Sequence, residues 1–210
     1  MTTAHLSRFV TTAAVLSVGL LLGGCAASPG SSPMPAPADE PIPASGEVVG
    51  QGTVLQVGDA APQFCLGGVM ESYPPQCSGP ELIGWDWEAV DGAETSGDVT
   101  WGSYAVQGTW DGTSLTVTAP PIMLALYDPI RVDNPYQDPA NKGATSEDEL
   151  LRIQTELHES APFDVLTSWT ENGYLFATVT YDDGDIQAYL DEEYGKDVVI
   201  AQSALRGLAD

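Results

Sequence analysis

Positive charge is scarce in this 210-residue sequence: six Lys and Arg stand against thirty Asp and Glu, for a formal net charge of −24. Nucleic-acid binding runs on Lys and Arg contacts to phosphate, so this balance excludes a nucleic-acid partner. It argues equally against docking on anionic headgroups and points to a highly soluble surface. Histidine is limited to His5 and His158. A Ser-His-Asp apparatus would have to use His158, and no Gly-x-Ser-x-Gly presents a strained nucleophile. Phosphate loops, Cys-x-x-Cys pairs and dinucleotide fingerprints are missing. Cysteine stops at Cys25, Cys65 and Cys77, too few beside one late histidine for a four-ligand zinc site. The sequence therefore supplies no catalytic residue, no metal ligand set and no cofactor site. Carboxylates alone are plentiful, which leaves a two-carboxylate, glycan-directed hydrolase open.

Long hydrophobic runs are also lacking. Phe9 to Gly24 carries no charge, but its apolar core, Ala13 to Leu22, falls short of the roughly 20 residues of a membrane span. It has the length of a signal-peptide core, behind a short head with one cation, Arg8. It ends in Leu22-Gly23-Gly24-Cys25, which resembles the bacterial lipobox. That resemblance implies cleavage before Cys25 and lipid on its thiol. Each buried CH2 contributes about 0.8 kcal/mol, so two or three acyl chains make a durable anchor where one does not. The expectation is a protein held at the outer face of the cell membrane through Cys25, with residues 1–24 as its signal.

Residues 25–45 hold six prolines among Ala, Ser and Gly. Twenty such residues in polyproline-II form reach roughly 60 Å, enough for a spacer. Composition changes at Gly46. Glu47 to Val57 reads as a long strand with glycines that permit a bend. With Cys25 committed to lipid, Cys65 and Cys77 are the remaining thiols in an oxidising compartment, and a disulfide is expected. Leu82 to Val90 alternates so that Ile83, Trp85, Trp87 and Ala89 share one face of a strand. Val99 to Trp110 and Ser114 to Thr118 flank Asp111-Gly112, a two-residue hairpin signal. Ile122 to Leu126 reads as one more buried strand. Residues 46–122 thus form a β module, and closure into a small antiparallel, OB-like barrel would remove its exposed edges; an open sandwich is the alternative. Residues 123–145 are too long and polar for an ordinary turn.

Ser146-x-x-Glu149 is a capping box, and Leu150, Ile153 and Leu157 give a helical stripe. Val165 to Tyr181 reads as a hairpin around Asn172-Gly173. Asp182, Asp183 and Asp185 open a second helix that Gly195 stops. Their spacing, with Asp191, Glu192 and Glu193, fails the EF-hand pattern. Asp197 to Ala201 closes an α-β-β-α-β module over 146–210, so the whole is α+β.

Phe64 to Trp87, with Cys-Leu-Gly-Gly-Val, Glu-Ser-Tyr-Pro-Pro-Gln-Cys-Ser-Gly-Pro and Gly-Trp-Asp-Trp, resembles a class of lipoproteins and secreted proteins of high-GC Gram-positive bacteria. Tyr194-Gly195 before Val198-Val199 is similar to the end of the same class. The resemblance implies location rather than activity. Trp85, Trp87, Trp101 and Trp110 all fall in the β module, where they line the barrel or offer faces for a ligand. The combined expectation is a tethered, non-enzymatic binding or envelope-structural lipoprotein, with a cell-wall glycan or envelope protein as partner. The glycan hydrolase and an acidic cation-binding lipoprotein are its rivals.

Overall fold

A computed structural model describes residues 42–128 and 134–208. Cys25, the signal before it and the Pro-rich stretch through Pro41 lie outside them. The fold is mixed α+β, mostly strands with two helices. Its frame is a pair of long antiparallel strands, β1 (Glu47–Val57) and β5 (Val99–Trp110), matched from Glu47↔Thr109 to Val57↔Val99. Around them β2 (Gln63–Cys65), β3 (Glu81–Ile83) and β6 (Ser114–Val117) complete a closed five-stranded barrel. The order is β1-β2-β3-β6-β5 and back to β1, with β3 and β6 parallel at Leu82↔Leu115. Two short strands, β4 (Glu94–Ser96) and β7 (Ile122–Met123), pair with β5 outside that circuit. Val48, Val54, Phe64, Leu82, Tyr104 and Leu115 fill the interior.

The barrel departs from the sequence reading in two places. The strand expected through Ile83, Trp85, Trp87 and Ala89 ends at Ile83. Gly84 turns the chain at φ 79°, and the Asp86 carboxylate accepts the Glu88 N–H at 2.9 Å, opening a single 3-10 turn over Trp87–Ala89. The alternation is real but comes from a turn that sends both indoles back onto the barrel. The Ile122 to Leu126 strand also shrinks to Ile122–Met123. Leu124–Leu126 is a 3-10 turn, and Leu126 is 75% exposed rather than buried. The β5–β6 hairpin forms, with its tip at Gly112 and Thr113, because the Asp111 N–H donates to the Ser114 carbonyl.

The second layer is a three-stranded sheet of β8 (Thr167–Glu171), β9 (Tyr174–Val179) and β10 (Val199–Ser203). β8 and β9 are antiparallel, and β10 runs parallel to β9. Asn172 at φ 53° and Gly173 at φ 81° make the hairpin tip, as an Asn-Gly pair favours. Helices α1 (Glu147–Ser160) and α2 (Asp185–Tyr194) bury Leu150, Ile153, Leu157, Ile186 and Leu190 against one face of this sheet, on Leu175, Ala177 and Val179. Ser146 caps α1 through its hydroxyl at 3.4 Å from the Glu149 N–H. Glu149 does not complete the box; its carboxylate pairs with Arg152 at 2.9 Å.

The chain then returns to the barrel. The Leu205 side chain enters the barrel core, and β11 (Arg206–Gly207) pairs with β1 at Val49 and Val48. At the other terminus, the Ala44 N–H donates to the Trp110 carbonyl at 3.0 Å. Among the connecting residues, 134–143 is fixed to the β8–β9 tip. The Asn172 amide donates to the carbonyls of Tyr136 and Asp138, and the Tyr174 hydroxyl to that of Asn141. No helix of the described residues is long and apolar enough to cross a membrane.

Candidate functional site

A cleft of about 1100 Å3 opens between the barrel and the α+β layer. One wall comes from Gly67 and Gly68, just after β2, and from Ser78, Gly79 and Pro80, just before β3. The disulfide between Cys65 and Cys77 holds these two segments side by side, with 5.9 Å between Cα atoms. Hydrogen bonds lock the same register: the Phe64 N–H donates to the Pro80 carbonyl and the Leu82 N–H to that of Pro62, both at 2.8 Å. Gly79 sits against the Phe64 carbonyl so closely that any Cβ would collide with it. Gly67 lies where a Cβ would stand 3.3 Å from Leu166 Cβ, so it sets the approach of the opposite wall. That wall is residues 161–166, the link from α1 to β8, together with Val179, Thr180 and Tyr181. Trp110 and the hairpin tip at Gly112 and Thr113 close one end, and Ile42 lies beside them.

Asp164 is the one charged residue among those lining the cleft; no Lys, Arg or His is there. Next to the lining, Asp111 accepts from Thr113 N–H at 2.8 Å, Ser114 N–H at 2.7 Å, Ser114 Oγ at 2.7 Å and Thr113 Oγ1 at 3.0 Å. These donors, the backbone Ser114 N–H foremost, hold its carboxyl well below the usual carboxylate range. The Asp111 carboxylate beside the hairpin end of the cleft is therefore favoured in its charged form. The cleft's aromatic residues are packed rather than presented. Trp110 is 7% exposed, and Phe163 stands edge-on to Tyr189 with centroids 5.9 Å apart. Tyr181 rests partly buried on the barrel core.

The four tryptophans expected to act together do not form one row. Trp85 and Trp87 pack edge-on to each other at 5.2 Å, and Trp85 to Tyr104 at 5.1 Å. The Trp87 indole N–H donates to Gln56 Oε1 at 2.6 Å. Trp101, 9% exposed, packs with Leu55 and Cys65 and forms a T-shaped pair with Tyr73 at 5.5 Å. Of the four, Trp110 reaches the cleft. Phe163, Asp164 and Tyr181 escaped the sequence reading; the local hints are the Ala161-Pro162 break after α1 and the Ser78-Gly79-Pro80 run after Cys77.

His158 is exposed in the last turn of α1, its Nε2 2.7 Å from Ser168 Oγ. Ser168 lies in mid-strand on β8, not on a strained turn, and its Oγ also accepts from the Gln154 amide at 2.9 Å. The acids at Asp182 to Asp185 are engaged by backbone. The Asp182 carboxylate accepts the N–H groups of Gly184, Ile186 and Gln187, and Asp183 that of Asp185. Among the described residues, no group of three or more His, Cys, Asp or Glu is placed to hold a metal ion.

Comparison with protein-family models, with curated proteins and with solved structures finds no match to this chain.

Proposed function

We propose that this chain is a lipid-anchored binding module of the cell envelope, tethered through Cys25 at the outer face of the membrane, that takes its ligand in the cleft between barrel and α+β layer. The observation that carries the reading is the cleft itself: side chains and backbone from both layers converge on it. Leu22 to Cys25 supports the anchor, and the prolines of residues 25–45 support a spacer behind it. The barrel's circuit, with its parallel contact between the third and last strands, resembles the OB arrangement, a scaffold that binds ligands through its surface loops and strands. Binding is favoured over the two-carboxylate hydrolase because Asp164 lines the cleft alone and the Asp111 carboxylate beside it is taken up by the N–H and hydroxyl groups of Thr113 and Ser114, where that chemistry needs a facing, available pair.

Two measurements test this. Membrane fractionation of Cys25→Ser should move the protein into the soluble fraction; retention in the membrane refutes the anchor. A photo-crosslinking residue at position 68, inside the cleft, should capture a specific envelope component from intact cells, while the same residue at position 94, on β4, should not. Equal capture at both positions would remove the cleft as the ligand site.

A further inference from the structure

We infer that the cleft's ligand is a positively charged, extended segment of a protein partner. The inference rests on the cleft being the binding site, and it adds the chemistry of what enters. Size comes first. At about 1100 Å3 the cleft is an open groove rather than an enclosed cavity, and it has room for a stretch of polymer.

Charge then selects the polymer. Asp164 lines the cleft, and Asp111 stands between the lining residues Trp110 and Gly112 as a fixed anion. With no cation in the lining to offset them, an acidic ligand is repelled and Lys or Arg side chains are drawn in. Ile42 lies at the cleft, and the sequence just before it carries Asp39 and Glu40, of the cleft's own sign.

The aromatic residues discriminate between peptide and glycan. Sugar stacking uses an open ring face. Trp110 is almost wholly buried, and Phe163 is packed in a T-shaped pair with Tyr189. What such packed rings still provide is apolar contact for the long stems of Lys and Arg. The wall at Gly68 is irregular backbone facing open space, since a Cβ there would meet nothing within 4 Å, and another main chain can approach it closely.

The test uses the intact chain in a mild nonionic detergent, titrated with a fluorescein-labelled peptide of four Lys-Ala-Pro repeats. Matching Ser-Ala-Pro and Glu-Ala-Pro peptides and chitotetraose are the comparison probes. Two variants address the cleft. Gly68→Phe places a ring in open space, since a Cβ at Gly68 meets nothing within 4 Å. Asp164→Lys reverses the exposed lining charge. Glu94→Lys, outside the lining, is the control. The inference expects the basic peptide to bind, the neutral and acidic ones not to, each cleft variant to weaken binding about tenfold or more, and the control to change it less than about threefold. If Asp164→Lys and Glu94→Lys weaken binding equally and Gly68→Phe leaves it untouched, the attraction is the net charge of the whole surface and the inference falls. Chitotetraose binding that Gly68→Phe abolishes, without cleft-dependent peptide binding, overturns the ligand class while the cleft stands. If Gly68→Phe affects neither probe, the cleft reading falls as well.

Discussion

Gln187 completes the free edge of β10 at Ala201. Its side-chain oxygen accepts the Ala201 N–H at 2.8 Å, and its amide nitrogen donates to the Val199 carbonyl at 3.0 Å. One side chain from α2 thus imitates the peptide group of a neighbouring strand. α1 does the same more simply on the opposite edge, where the Gln154 amide donates to the Ser168 carbonyl at 3.1 Å. A three-stranded sheet has two open edges, each a template for association with another chain, and here a helix glutamine engages each of them.

Gln187→Ala should therefore do two things. Removing two hydrogen bonds to backbone should lower stability by about 1–3 kcal/mol, read from the urea midpoint. It should also free the β10 edge, so the variant should self-associate at concentrations where the parent is monodisperse, read by size-exclusion chromatography with light scattering. A variant that stays monodisperse and loses less than about 0.5 kcal/mol would show that the glutamine is ornamental to the edge.

Leu205 is the second junction. It is fully buried in the barrel core although it follows β10, and a Cβ added at Gly50 would stand 2.7 Å from its Cδ2 and 2.9 Å from Phe64 Cε1. Leu205→Ala should cost about 2–5 kcal/mol, the range for a buried leucine that leaves a cavity. Gly50→Ala should cost about 1–3 kcal/mol by overpacking. Made together, the two should cost less than their sum, because the missing leucine leaves room for the added methyl. Strict additivity in denaturant melts would show that the two sites do not touch.

Much of this architecture was legible in the sequence, because its longest elements carry local signals. β1, β5 and α1 have length and periodicity, Asn172-Gly173 has a backbone preference, and the thiol count pairs Cys65 with Cys77. What was not legible is made at a distance. β11 has two residues and exists because β1 is there to receive it. The cleft is assembled from segments near residues 67, 79, 112, 164 and 180, none of them periodic. The alternation from Ile83 to Ala89 misled for a related reason. Trp85 and Trp87 reach the core from a turn, and burial of alternate residues looks the same whether a strand or a turn delivers it.

Asp111 gives a pH prediction. Its folded-state carboxyl is held well below the ordinary range, chiefly by the Ser114 and Thr113 N–H groups. A depressed folded pKa contributes stability above the unfolded value, about 3.9 for Asp, and that contribution is lost as pH falls through the folded value. Asp111→Asn keeps an acceptor at the turn and removes the charge. Its Tm should lie below the parent's by a constant gap above about pH 5, and the gap should narrow steadily as the pH is taken below about 4. A gap that stays constant down to pH 2 would assign the effect to shape rather than ionisation.

The disulfide makes the last prediction, because its two ends are also the roots of one cleft wall. Gly67 and Gly68 follow Cys65 by two and three positions, and Ser78 and Gly79 follow Cys77 by one and two. Cys65 is buried against Leu55 and Trp101, while the loop it closes carries Met70 and Tyr73 at 64% and 74% exposure. Such a loop has little core of its own to hold it. Replacing both cysteines by alanine should lower stability by about 3 kcal/mol in the chain-entropy account. The loss should not spread evenly over the molecule. Amide exchange should quicken most at residues 67–68 and 78–79, less in the β2–β3 ladder where Phe64 still bonds to Pro80, and least in α1 and β9. Since the same segments set the separation from Leu166, ligand affinity should fall with the disulfide even where the protein remains folded. If exchange rises uniformly instead, the bond stabilises the fold as a whole and the cleft wall stands without it.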